Sequence, residues 1–286
     1  MIDVIKYITL DLIVQPIAQN SSENSGKILV KTRRAPLLQG ARRLRSASPH
    51  CGCEESPMTL EKMQPLVHLT LSARVYEDLR ERIISGQVQP GERLTLAGMA
   101  SALGTSAMPI REAVQKLAAE GALEILPNKS VGVPVMTRTR FQELVTIRIA
   151  VEGLAVQTAA SLITDAQLAR LAELEKAFRT ERRLATPDVN RIIQINKQFH
   201  FGAYEAAGMP TLLTLIEGLW LRIGPVLNLD IRNGSSRLAN PPSVRAHRAM
   251  LDGLRAHDGL AARNGLAMDI QCAADVILSG DGLGTV

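Results

Sequence analysis

From about residue 66 onward, apolar residues recur at helical spacing; before it no period lasts. Val75, Leu79 and Ile83 fall at i, i+4 and i+8, which predicts a helix over residues 72–85 that Gly86 ends. Gln89-Pro90-Gly91-Glu92 reads as a turn. Thr95 is placed to cap a second, short helix with Leu96, Met99, Ala100 and Leu103 on one face, and Gly104 breaks it. Ser106 opens a third helix, where its hydroxyl is expected to accept from a free N–H of the first turn. Pro109 falls in that turn, where a missing N–H costs little. Ile110, Val114 and Leu117 then face a core, while Met108, Arg111 and Gln115 fall on the opposite side. Gly121 closes the helix. Residues 123–126 and 131–135 read as two short strands, with Pro127-Asn128-Lys129-Ser130 as the tip of a hairpin.

Two short helices with a tight link, the second showing an arginine outward, match a helix-turn-helix, and the hairpin makes it winged. An arginine-bearing helix of this size fits a DNA major groove, and Asn128 and Lys129 at the wing tip can reach phosphate or the minor groove. The bland reading of the third helix alone is an ordinary amphipathic surface helix. Past a linker at 137–140 the pattern is helical, with breaks near 163–165, 185–188, 208–210, 230–242 and 257–259. The segments 139–162, 165–184, 188–207, 210–229, 242–257 and 258–279 predict a bundle of about six helices. The fold class is therefore mainly α: a winged helix-turn-helix over residues 66–136, then an all-helical domain over 137–286.

Composition refines this picture in three places. A chain of 286 residues has room for two cores. Residues 1–65 are rich in Ser, Asn and Gly, carry a basic run from Lys31 to Arg45, and read as a disordered extension. That stretch is either a basic arm for phosphates or dispensable, with Met58 or Met63 as an alternative start; Cys51 and Cys53 lack a second ligand pair. The net charge of +5 permits a polyanionic partner, yet acids and bases balance over residues 66–136. DNA affinity must then come from how charge is spread over faces, and from dimerisation. Three cysteines are too few for a disulfide framework and point to the cytoplasm. No apolar run is expected to span a bilayer, and Asp3, Lys6 and Asp11 interrupt any leader-like core.

The order Gln89-Pro90-Gly91-Glu92-Arg93-Leu94, Leu103-Gly104-Thr105-Ser106, Pro109-Ile110-Arg111-Glu112-Ala113 and Ala119-Glu120-Gly121-Ala122-Leu123 resembles the GntR family of bacterial transcription regulators. The resemblance implies that Thr105, Ser106, Met108, Arg111 and Gln115, with Asn128 and Lys129, contact DNA, and that Arg111 reads the operator. The family commonly has another arginine directly after the turn serine; this chain has Ala107. Arg148-Ile149-Ala150-Val151-Glu152, Asn196-Lys197-Gln198-Phe199-His200 and the segment from His247 resemble the FadR-like branch, whose helical C-terminal domain is abbreviated FCD.

Asn196 and His200, four apart, share one helix face. His247 and Asp269 lie equally far from residue 258, the turn between the last two helices, so an antiparallel hairpin brings them level. Imidazole and carboxylate donors suit Zn, Ni or Mn. The resembled domain holds its metal with one aspartate and three histidines. On that pattern Asn196 replaces the aspartate and Asp269 a histidine, so the carboxylate has moved rather than vanished. Arg148 and, more weakly, Arg222 are candidates to hold a small carboxylate effector together with Asn196, His200 and His247; the bland alternative for Arg148 is an ion pair with Glu152.

These features point to a homodimeric, ligand-responsive DNA-binding regulator, most simply a repressor of a double-stranded operator. An all-helical metal-dependent enzyme with an accessory winged helix is the alternative. No G-x-S-x-G, no phosphate-cradling glycine loop and no well-spaced general base support the enzyme. A scaffold that uses both domains for protein contacts is a third class.

Overall fold

The structure is a computed structural model that describes residues 70–127, 130–234, 242–280 and 282–284. The expectations for residues 1–65, Asn128 and Lys129 lie outside the described residues.

The head begins with α1, Leu71–Ile84, capped by Thr70. Then follow β1 (Arg93–Thr95), α2 (Leu96–Ala102), α3 (Ala107–Ala119), β2 (Glu124–Ile125) and β3 (Ser130–Gly132). The strands form an antiparallel sheet in the order β1-β3-β2, with Leu94 opposite Val131 and Ile125 also opposite Val131. The sequence predicts β2 and β3 but not β1, which is too short to show a period. β3 stops at Gly132 rather than 135, two residues before Pro134, which has no N–H for a ladder. The apolar positions read from the sequence make the core: Val75, Leu79, Ile83, Ile110, Val114 and Leu117 are all buried. Leu221 joins this core from the helical domain.

Two helix starts contrast. Thr95 Oγ1 accepts from the Gly98 N–H and caps α2 as expected. Ser106 has the extended backbone of an N-cap, but its side chain makes no capping hydrogen bond. The expected role of its hydroxyl is therefore corrected: backbone geometry alone starts α3. Gly121, at φ +73°, ends α3, and the Ala122 N–H returns to the Leu117 carbonyl.

Among the described residues six helices follow: α4 (Arg138–Leu162), α5 (Asp165–Glu181), α6 (Val189–Glu205), α7 (Pro210–Arg232), α8 (Pro242–Arg255) and α9 (Gly259–Ser279). Side-chain caps from Thr137, Thr164, Asp188 and Asp258 start four of them. The close α8–α9 hairpin depends on two glycines. A Cβ on Gly253 would lie 2.3 Å from the Ala262 nitrogen, and one on Gly265 2.3 Å from the Met250 nitrogen. His257, in the connecting turn, is exposed, and its Nδ1 lies 2.7 Å from the Ala160 carbonyl and ties the turn to α4.

One expectation needs correction. α4 and α7 each contain an 18-residue window apolar enough to cross a membrane by length and composition. About half of each window, 50% and 56%, is buried inside the fold, because both helices are contacted on more than one side. Their apolarity is that of core helices.

Candidate functional site

The outward face of α3 is open. Arg111 and Gln115 are exposed, and Met108 is 63% exposed although apolar. Among the described residues neither Arg111 nor Gln115 has a hydrogen-bond or ion-pair partner, so the guanidinium is available to an external acceptor. Ser106 is exposed with a free hydroxyl, and Thr105 Oγ1 is buried without a partner. Behind this face α3 is held fast. Lys116 sits 3.6 Å over the Tyr76 ring, and the Tyr76 hydroxyl donates to Glu120. Burial, then the Glu120 carboxylate, push the Tyr76 hydroxyl above its ordinary range, which keeps it a donor.

The second site lies inside the bundle, where His200, His247 and Asp269 converge from α6, α8 and α9. Their candidate donor atoms all lie within 4.8 Å of one another. Asp269 reaches His200 Nε2 at 3.2 Å with one oxygen and His247 Nε2 at 3.6 Å with the other. The equal-distance argument about the turn thus places His247 and Asp269 correctly. Asn196 is half-buried one turn before His200 on α6. Phe178 and Phe199 wall His247, with ring centroids at 4.8 and 4.5 Å.

A chain of buried polar groups continues from this cluster. The Tyr204 hydroxyl donates to Glu152 at 2.5 Å and lies 3.3 Å from His200 Nδ1. Glu152 also accepts from Arg148 Nε at 2.5 Å and from its terminal nitrogen at 3.1 Å. The bland reading of Arg148 is therefore realised: it is buried and paired with Glu152, with Trp220 5.2 Å from its guanidinium carbon. Burial alone would lower Arg148, but Glu152 holds it above its ordinary value. Arg222 lies elsewhere. Its Nε donates at 2.9 Å to the Glu120 carbonyl at the end of α3, so it belongs to the seam between head and bundle and not beside the histidines. Tyr204, missed in the sequence, was findable as the residue four beyond His200 on the same helix face.

Because the Tyr204 proton goes to Glu152, the Tyr204 oxygen is left to accept from His200 when that ring carries its proton on Nδ1. With the proton on Nδ1, Nε2 offers a lone pair beside Asp269; with the proton on Nε2, the ring donates to the Asp269 carboxylate 3.2 Å away. Burial lowers His200 below its ordinary value and so favours the neutral ring. Burial by itself would raise Asp269, but His247 and His200 outweigh it and hold the carboxyl well below the usual range. Asp269 is shared between the two rings, and neither ring nitrogen of buried His247 has a partner within hydrogen-bond distance, Nε2 standing 3.6 Å from Asp269. Unsatisfied buried donors and acceptors on this scale are costly unless something bridges them.

A winged helix-turn-helix with an open arginine face, joined to a helical domain with a buried donor cluster, defines a sensor-regulator of transcription. The comparisons agree. Residues 71–133 match "Bacterial regulatory proteins, gntR family", and residues 143–271 match the FCD domain. The HTH-type transcriptional regulator McbR of Escherichia coli (strain K12) is 33% identical over 196 residues, 67% of this chain and 85% of that one. A probable D-xylose utilization operon transcriptional repressor of Paenarthrobacter nicotinovorans is 27% identical over 194 residues, 68% and 82% of the two chains. The solved structure of E. coli McbR/YncC superposes with a TM-score of 0.69 at 29% identity, over 74% of this chain and 99% of that one. This chain belongs to the GntR family, with an FCD domain behind its DNA-binding head. It is a ligand-responsive transcription regulator that binds DNA, not an enzyme.

Proposed function

We propose that the chain is a homodimeric, cytoplasmic repressor whose hold on a palindromic operator is set by a small organic acid bound in the bundle. Residues 66–136 form the reading domain, and residues 137–286 the sensing and dimerisation domain. Each α3 enters a major groove, where Arg111 donates to base edges, with Met108 and Gln115 beside it. Ser106, with Asn128 and Lys129 at the wing tip, contacts phosphates; the Thr105 hydroxyl, expected there too, is buried and its N–H is bonded to the Ala100 carbonyl, so Thr105 is withdrawn from the contact set. A relative named as a repressor supports repression as the sense of control.

His200, His247 and Asp269, with the amide oxygen of Asn196, would hold a divalent ion such as Zn, Ni or Mn. The observation that carries this reading is buried His247, whose two ring nitrogens have no partner within hydrogen-bond distance and whose Nε2 shares Asp269 with His200. Such an ion supplies a positive centre on which an effector carboxylate can rest. Tyr204 keeps the His200 lone pair turned toward that centre. Arg148 serves through Glu152 and Tyr204 and does not compete for the effector.

A thermal-shift screen tests this reading. Zn, Ni or Mn alone should raise the melting midpoint, and a matching organic acid should raise it further only with the ion present. His247→Leu should abolish both shifts. Wild-type protein that none of the three ions stabilises would defeat the reading.

A further inference from the structure

α7 carries three consecutive residues that face three different parts of the molecule. Trp220 packs in the bundle core, with its ring centroid 5.6 Å from that of His200. Leu221 is 1% exposed and lies in the core of the head. Arg222 donates from Nε to the Glu120 carbonyl, where α3 ends. The last carbonyls of a helix have no partner within it, and a cation there also meets the negative end of the helix dipole. Arg222 therefore supplies, from the sensing domain, a cap for the helix that carries Arg111.

The same device repeats on α1. Asn228 Nδ2 donates to the Ile84 carbonyl at 2.6 Å, and Arg232 Nε to the Ser85 carbonyl at 2.9 Å. The helices approach closely: a Cβ on Gly224 would lie 2.6 Å from the Ile84 carbonyl oxygen. Arg80 and Glu217 add an ion pair at 3.3 Å across the seam, and Lys197 reaches Glu81. These links end on α1. Among the described hydrogen bonds between bundle and head, that of Arg222 is the one that ends on α3. Pro225 lies inside α7 and has no N–H for the Leu221 carbonyl, so the helix is softest at residues 221–225. The segment that touches both cores is also the segment least fixed by its own backbone.

We propose that Arg222 is a positioning residue that ties occupancy of the His200–His247–Asp269 cluster to the placement of α3, through Trp220 and the soft turn of α7. This inference rests on the metal-binding reading above. An ion held by His200, His247 and Asp269 would lie beside Trp220, and any resulting shift of α7 would reach the reading helix through the Arg222 cap. Reciprocity follows: operator DNA bound to α3 must change ion affinity by the same factor as the ion changes DNA affinity.

The test uses the full chain, with Zn as the probe and two readouts. Trp220 is the sole tryptophan, so its emission follows the cluster. Hydrogen exchange at the Gly121, Ala122 and Leu123 amides, which bond back to Ala118 and Leu117, follows the end of α3. In wild type, Zn should change both. In Arg222→Gln, the Zn-dependent emission change should persist while the amide response is lost; Arg222→Lys, which keeps the cation, should restore part of it. Circular dichroism melts establish that each variant folds. Zn-dependent emission without any amide response in wild type, or an equal amide response in Arg222→Gln, overturns the relay and leaves the metal site standing. Absence of any Zn-dependent emission change or Zn retention in wild type overturns the metal reading and this proposal with it. If Arg222→Gln does not fold, a reduced amide response in Arg222→Lys supports the relay, and a full response there overturns it.

Discussion

The reading face of α3 and the polar centre of the bundle use the same residue chemistry in opposite ways. Arg111 is exposed and has no partner among the described residues; Arg148 is 4% exposed and doubly bonded to Glu152. The first arginine contributes little to folding and is kept free for an outside acceptor. The second is locked into a network that ends at two histidines and an aspartate. An arginine open to solvent on a small helix is a recognition group, whereas one buried beside a carboxylate is part of the scaffold. The comparison predicts that variants in the bundle damage stability or ion binding, while variants on α3 damage DNA binding and leave the fold intact.

The largest effect should come from breaking the buried pair. Glu152→Ala leaves the Arg148 guanidinium uncompensated and should cost about 3–5 kcal/mol in chemical denaturation. It also removes the acceptor that orients Tyr204 and through it His200. Replacing both partners with apolar residues, as in Arg148→Met with Glu152→Leu, should recover much of the stability but not the orientation of His200. A loss under about 1 kcal/mol, the range of exposed pairs, would show that the pair is not the closed structure described.

Next in size is removal of the ion. Protein loaded at about a hundredfold over the dissociation constant should lose about 2.7 kcal/mol on treatment with a chelator. The same treatment should leave His247→Leu unchanged. Equal losses in both proteins would place the ion elsewhere and detach the polar network from sensing.

Arg111→Ala bears on the other side of the comparison. Each lost bidentate contact to a base should cost about 1–3 kcal/mol and relax specificity at that position. Over two half-sites, this should remove specific retardation of operator DNA in a gel. The melting midpoint should not move, since Arg111 has no described partner within the protein. Unchanged retardation would defeat its role as the reading residue.

The two regions were not equally legible in the sequence. The head could be read because its logic is local: Val75, Leu79 and Ile83 repeat within one helix, and Gly121 marks the stop that its positive φ requires. Six bundle helices were visible for the same reason, to within a few residues at their ends. The pairing of His247 with Asp269 was also legible, because a tight hairpin converts distance from the turn into height along it. The branch through Glu152 and Tyr204 was not fully legible, since it crosses from α4 to α6 and depends on packing that spacing within one helix does not encode. Arg222 was misplaced for a related reason. A basic residue on a core helix can face either neighbour, and Leu221 joining the head core decides which.

The finest test concerns two hydroxyls at comparable helix starts. Thr95 and Ser106 both have extended backbone at the residue before a helix, and both are good capping residue types. Thr95 caps α2 through Gly98, so Thr95→Ala should cost about 1 kcal/mol of stability. Ser106 makes no such bond, so Ser106→Ala should change stability by much less than that, below about 0.5 kcal/mol. Its cost should appear instead as weaker binding to all DNA sequences alike, because a phosphate contact carries no base information. A stability loss at Ser106 equal to that at Thr95 would return this hydroxyl to the fold. A loss of binding without a loss of stability would assign it to the reading face beside Arg111.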